Sequence, residues 1–526
     1  MHLFPETTRG ANRSRVLDRL VGRCRPLIAR PRRWVGGLAL AWAALGPGVS
    51  AAQALPASVT SALKKAGIPA DALSVVVASS DAAQPPRLRQ GADRPVNPAS
   101  VMKLVTTYAA LDLLGPSFTW RTPFYVDGTV HQGLLRGNLY IQGGGDPKWV
   151  MERITESLQT VHAQGVTVVV GDIVLDQGAF QLPRTDPAAF DGERLRPYNA
   201  SPEALLVNFK SLVLGFVPDV PAGVARVSFE PPLEGVLVDR IVPLSSSACG
   251  DWRGALQALM DNPARVQFMG SFPARCGERT WPVAYADPDT FAERAIEGLW
   301  RASGGLITGQ VRRGTVPATA RPIHEAASLP LSDIVADVNK FSNNIMAQQV
   351  FLTLGRLTGS PGAQAPALRA AAVPGAPVLS GVGTFERSRE RLASWWQARL
   401  GSRVPVPVIE NGSGLSREER ITADALLALL RDAARHPNGR VLFDSLPVAG
   451  VDGTAARMGE RGILKNALGN ARIKTGSLRD VAAIAGYVNG PDDSPWVVAA
   501  IVNHPNAAQA RPALDALLEW AATLRR

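Results

Sequence analysis

Three short segments carry residues whose types and spacing could do chemistry together. The first is Ser100-Val101-Met102-Lys103. Residues three apart share one helical face, so Lys103 can reach the Ser100 hydroxyl. A serine hydroxyl is a weak nucleophile until a base takes its proton. A lysine serves as that base when burial or a neighbouring cation lowers its pKa. At a first helical turn the dipole also favours developing negative charge. The second segment is Ser342-Asn343-Asn344 in "NKFSNNIMAQQVFLTLG". Taken alone it reads as a helix N-cap, a place that Ser and Asn both favour. The third is Lys474-Thr475-Gly476, followed by Ser477. Lys474 could anchor a carboxylate and help depress the pKa of Lys103. Gly476 lets a substrate backbone approach closely.

The first motif is cheap by itself. On the order of two S-x-x-K matches arise by composition in a chain of this size. A second copy exists, Ser61-Ala62-Leu63-Lys64, and Lys64-Lys65 beside it reads as a solvated face. The Ser100 copy instead precedes "LVTTYAALDLL", apolar enough for a buried helix. K-T-G is rarer, at roughly a tenth of a chance match per chain, and occurs once.

Elements must position these residues. "LPASVTSALKKAGI" predicts a short helix and "ALSVVVAS" a strand; the Ser100 helix stops at Gly115-Pro116. From about Trp120 the texture turns to β, with "TPFYVDG", "NLYIQGG", "VTVVVGDIVLD", "ARVSFEPP" and "VLVDRIVPL" as short strands between turns. Helical periodicity returns at "FAERAIEGLWRASGG" and after about Leu329, and "VAAIAGYV" behind the K-T-G reads as a strand. The β-rich block, 123–325, is therefore expected as an insertion of two nested domains. It interrupts an α/β domain made of 55–122 and 326–526. The Gly355–Gly383 segment, rich in Gly, Pro and Ala, reads as a surface loop. In "QGGGDPKWVMERITESL" no spaced third glycine supports a phosphate cradle. Asp146 and Pro147 there read as N-cap and first residue of the next helix.

The chain of 526 residues has a formal charge of +11. Residues 1–54 hold nine Arg and two acids, a net +7, which leaves +4 for the rest and no nucleic-acid footprint. The Arg-rich start, the apolar run Trp34–Leu45 and Ala52-Gln53-Ala54 follow the order of a secretory signal, 1–54. That run is too short to span a bilayer, so at most peripheral membrane association is expected. Cys24 falls in the signal. Cys249 and Cys276 remain as an even pair that an oxidising compartment would join. Six His without H-x-H or HExxH spacing argue against a zinc site, and no metal or cofactor is expected.

S-x-x-K, S-x-N and K-T-G in this order are the signature set of the penicillin-recognising serine enzymes. The sequence resembles the penicillin-binding D-alanyl-D-alanine carboxypeptidase/endopeptidase family, peptidase S13 of the PBP4/DacB type. "GLLRGNLYIQGGGDP", "GDIVLDQGAF", "YADPDTFAERAIEGLW", "NGSGLS" and "LPVAGVDGTAARM" add to the resemblance. Two positions depart from it: Asn343 and Asn411 stand where the family usually has Asp. The resemblance implies a multi-domain α/β, β-lactamase-like serine transpeptidase fold with a large β-rich insertion. It further implies a periplasmic hydrolase of stem peptides ending in D-Ala-D-Ala, acylated by β-lactam antibiotics. By position, Ser100 is the implied nucleophile, Lys103 its base and Ser342 a proton relay. Asn344 is the implied orienting amide. Lys474, Thr475, Gly476 and Ser477 are the implied substrate-binding strand. A β-lactamase or esterase with the same machinery is one alternative, and a catalytically silent cell-wall-binding protein is another.

Overall fold

The computed structural model describes residues 54–358 and 379–525. All but the last residue of the expected signal, 1–54, and most of the Gly355–Gly383 loop lie outside them.

A five-stranded antiparallel sheet forms the centre of the part that carries the three motifs. Its order is Leu88–Gln90, Leu73–Ser79, Pro495–Asn503, Val481–Asn489 and Ala471–Leu478, the last at an edge. Both faces are covered, which explains why the strands read as nearly unbroken apolar runs. On one face Val75, Val77, Ile484, Val498 and Ala500 pack with helices Ala57–Lys65 and Arg511–Ala521. On the other, Val76, Ala483, Ala485, Val497 and Ala499 pack with a helical layer that includes Lys103–Leu114, Leu331–Phe341, Asn344–Leu354 and Ala423–Arg435. The alternation follows from the two-residue period of a strand. Helix Lys103–Leu114 has ten buried residues out of 12, so it is a core helix with no polar face to show water.

The chain leaves this layer at strand Arg121–Val126 and returns by strand Arg321–Ala327. The two pair antiparallel, with Arg121 opposite Ala327. Between them lie four sheets that share an apolar cluster of their own, separate from the motif-bearing part. Two use strands before Asp176 and after Leu306; the other two use only strands between Ser211 and Ala284. Cys249 and Cys276 are joined by a disulfide in that inner segment. Strand Ser211–Asp219, absent from the sequence reading, lies between strands Val224–Glu230 and Arg279–Ala284 in one inner sheet.

One local expectation fails. The helix after the triple glycine starts at Met151, with Val150 as its N-cap and no capping side chain. Asp146 is engaged elsewhere: Oδ1 accepts from Lys148 N–H (2.8 Å) and Oδ2 from Arg153 (2.7 Å). A tertiary ion pair has taken the carboxylate that a cap would need.

Candidate active site

Ser100 sits on a 3-10 turn, Ala99–Met102, that runs directly into helix Lys103–Leu114. In a 3-10 turn residues i and i+3 eclipse, so Lys103 lies over Ser100 more directly than α spacing would place it. Ala99 takes a left-handed backbone, φ 47°. It is held there by Asn97, whose Oδ1 accepts the Ala99 N–H at 2.9 Å. Asn97 is held in turn by Asn503: Asn97 N–H donates to Asn503 Oδ1 (2.8 Å), and Asn503 Nδ2 donates to Asn97 O (2.9 Å). The central sheet thus fixes the turn that carries the serine.

Lys103 is completely buried. Its Nζ donates to Ser100 Oγ (3.0 Å), Asn344 Oδ1 (2.7 Å) and Ser413 O (2.5 Å). Burial holds its pKa well below the ordinary lysine value, the Lys474 charge lowers it further, and the Glu419 carboxylate opposes both. A lysine so lowered can stand as a neutral amine, which donates to two of these partners and keeps a lone pair that can accept a proton from Ser100.

The second motif is a joint between two helices. Ser342 closes helix Leu331–Phe341 in a left-handed conformation, φ 57° and ψ 35°. Asn343 caps the next helix by accepting from Met346 N–H at 3.1 Å. The cap expectation holds through Asn343 alone, so the cap does not use the Ser342 and Asn344 side chains. Asn344, beyond the cap, receives Lys103 and donates through Nδ2 to Tyr198 O (3.1 Å).

The third motif lies on the edge strand Ala471–Leu478. Lys474 Nζ donates to Ser342 Oγ (3.0 Å), and burial lowers its pKa to about 7. Thr475 Oγ1 bonds Thr454 Oγ1 at 2.9 Å. A Cβ on Gly476 would stand 2.6 Å from Pro98 O and 3.1 Å from Ser100 N, so glycine lets this strand lie against the serine turn. A third wall is the loop around Ser413, the "NGSGLS" stretch, whose resemblance implied no contact to Lys103. Its Gly414 has φ +81°, and a Cβ there would meet Ala99 O at 2.0 Å. Ser100, Ser342, Thr475, Gly476 and Ser477 line one open cavity of about 400 Å³, which continues past Thr454 to Arg457 and Arg511.

Ser100 and Ser342 therefore line one cavity, each hydroxyl hydrogen-bonded to a buried lysine behind it, which suits proton transfer to and from a bound carbonyl compound. The Ser61–Lys64 copy is on the exposed side of a surface helix, with no such neighbours. Among the described residues no group of three or more His, Cys, Asp or Glu could hold a metal ion. No helix among them is long and apolar enough to cross a membrane.

The sequence profile of the D-Ala-D-Ala carboxypeptidase 3 (S13) family matches residues 55–373 and 378–524. This chain belongs to that family. The S13 chain is 30% identical over 438 residues to a D-alanyl-D-alanine carboxypeptidase of Actinomadura sp. (strain R39), covering 78% of this chain and 74% of that one. It is 23% identical over 392 residues to the D-alanyl-D-alanine carboxypeptidase DacB of Haemophilus influenzae, covering 74% and 77%. Its fold is similar to the crystal structure of penicillin binding protein 4 (dacB) from Haemophilus influenzae. The TM-score is 0.67 at 21% identity, over 88% of this chain and 99% of that one. A second structure of that protein, complexed with a β-lactam, aligns over the same shares with a TM-score of 0.63, also at 21% identity. The S13 fold is thus the mixed α/β architecture with several sheets that the resemblance implied.

Proposed function

We propose that this S13 protein is an exported, periplasmic serine hydrolase of peptidoglycan. It removes the terminal D-alanine from stem peptides ending in D-Ala-D-Ala and cuts D-alanyl cross-links. The observation that carries the reading is the buried Lys103 amine bonded to Ser100 Oγ, with Ser342, bonded to the buried Lys474, lining the same cavity as Ser100.

In this mechanism Ser100 Oγ attacks the carbonyl of the penultimate D-alanine while Lys103 takes its proton. Backbone N–H groups of Ser100 and Ser477 receive the oxyanion, where donors aimed at developing charge matter most. Ser342, hydrogen-bonded to Lys474, relays that proton from Lys103 to the leaving amine as the peptide C–N bond breaks. Asn344 orients Lys103 and the substrate amide. Thr475 and Lys474 hold the terminal carboxylate, and Gly476 admits the substrate backbone. Water then attacks the ester and frees Ser100. No step calls for a metal or cofactor. A β-lactam enters as substrate, acylates Ser100 and leaves slowly. Residues 55–122 with 326–526 form the catalytic domain of this reading, and 123–325 are its inserted domains.

The test is covalent labelling with a fluorescent penicillin, read on a denaturing gel beside Ser100→Ala. A stable label on the wild type alone is expected. Label persisting on Ser100→Ala would refute the nucleophile, and rapid turnover of the label would favour a β-lactamase instead.

A further inference from the structure

We infer that Glu419 is a positioning residue for the base: it braces the loop that holds Lys103 and supplies the negative charge that the ammonium meets when the Ser100 proton arrives. The inference rests on the reading of Lys103 as the base.

Glu419 is completely buried. Its Oε1 accepts from the backbone N–H of Glu410 (3.3 Å) and of Asn411 (3.4 Å), both long bonds. Its Oε2 accepts from no group among the described residues. A carboxyl so placed is costly unless a cation compensates it. Lys103 is the base that feels it: the Glu419 charge raises the lysine's affinity for a proton, and the lysine's charge favours ionised Glu419. The other charges acting here are Lys474, which faces Lys103 from the edge strand, and Glu410, which faces Glu419.

The loop joins acid to base mechanically as well. Asn411 Oδ1 accepts from Ser413 N–H (2.9 Å) and Ser413 Oγ (2.7 Å), and Asn411 Nδ2 donates to Leu415 O (2.9 Å). The folded loop presents Ser413 O to Lys103 Nζ on one side and rests its Glu410 and Asn411 N–H groups on Glu419 on the other. Burial pushes Glu419 up to about 7, so its charge changes within the range where a depressed lysine works. When the Ser100 proton moves to Lys103, a second ammonium forms beside Lys474. Ionised Glu419 offsets that charge without touching substrate.

The experiment is the pH profile of the acylation rate by a fluorescent penicillin, on the full chain. Without the carboxylate, Lys103 holds a proton less tightly. Glu419→Gln is therefore expected to move the acid limb to lower pH and to lower the plateau several-fold. Glu419→Asp, which keeps the charge, is expected to leave the limb near its wild-type position. Where Glu419→Gln does not fold, the apolar Glu419→Met is expected to give the same shift. A uniform loss of rate with an unmoved limb would overturn the inference and leave Glu419 as a brace only. Failure of the underlying reading looks different: Lys103→Met would still acylate within a few-fold of wild type, whatever the limb does.

Discussion

Replacing Lys103 with methionine separates chemistry from folding. Methionine is unbranched and similar in length, so it fills the same buried space without an amine. Three acceptors lose their donor: Ser100 Oγ, Asn344 Oδ1 and Ser413 O. At about 1 kcal/mol each, that destabilises by roughly 3 kcal/mol. Removing an ionisable group from a site with no solvent exposure relieves a desolvation penalty of similar size, several kcal/mol. The two nearly cancel, and the thermal midpoint should move by only a few degrees. The rate has no such compensation. Loss of a positioned general base costs roughly 10²–10⁴-fold, or about 3–5 kcal/mol of barrier. The assay is single-turnover acylation by a fluorescent penicillin, with thermal denaturation of the same sample. Acylation within a few-fold of wild type would refute the assignment of Lys103 as base. Loss of the thermal transition would make it structural instead.

Other perturbations give distinct signatures. Acylation should rise with pH as Lys103, held below the ordinary lysine range by burial, loses its proton. Turnover of a substrate with a free terminal carboxylate should weaken again on the alkaline side, as Lys474, at about 7, loses the charge that anchors it. An amidated terminus should show no alkaline loss of this kind, and a matching loss would refute the anchoring role. Gly414→Ala puts a Cβ 2.0 Å from Ala99 O at φ +81°. The backbone conformation alone costs about 1–2 kcal/mol, and the displaced loop should lower acylation at least tenfold; a normal rate would show that the contact is not needed. Replacing Cys249 and Cys276 by alanine opens a loop with a separation of 27 residues. It should cost roughly 3 kcal/mol of stability, seen in thermal melts, while acylation per folded molecule stays unchanged.

Much of the candidate site was readable because each motif is local. Ser100 with Lys103, Ser342 with Asn344, and Lys474 to Ser477 are short spacings, and the fold brings all three to one cavity. The strands around them were readable from apolar runs. What the sequence hid is what distant backbone supplies. Ser413 contributes a carbonyl and Tyr198 another, and a carbonyl has no residue type to recognise. Glu419 was hidden for a different reason. "SREER" looks like a solvated charge run, and Glu418 is indeed exposed, yet its neighbour faces the core. Only the pairing of Val408 with Arg420 across the loop decides which of the two glutamates turns inward. The misplaced start of the helix at Met151 has the same origin: Arg153 and the Lys148 amide take Asp146 away from any cap.

Because Arg121 and Ala327 face each other across a strand pair, the long excursion between them could be cut out and the ends joined by a short turn. The geometry invites the idea of a detachable module. Yet Tyr198 lends its carbonyl to Asn344, Glu203 exchanges hydrogen bonds with Gln349 one turn further along, and Lys148 is salt-bridged to Asp337. All three partners stand on the two helices that meet at Ser342. A shortened chain would close neatly and still lack the far side of its own active site. Contiguity in sequence and independence in function are separate properties here, and a minimal enzyme would have to rebuild those three supports before losing the excursion.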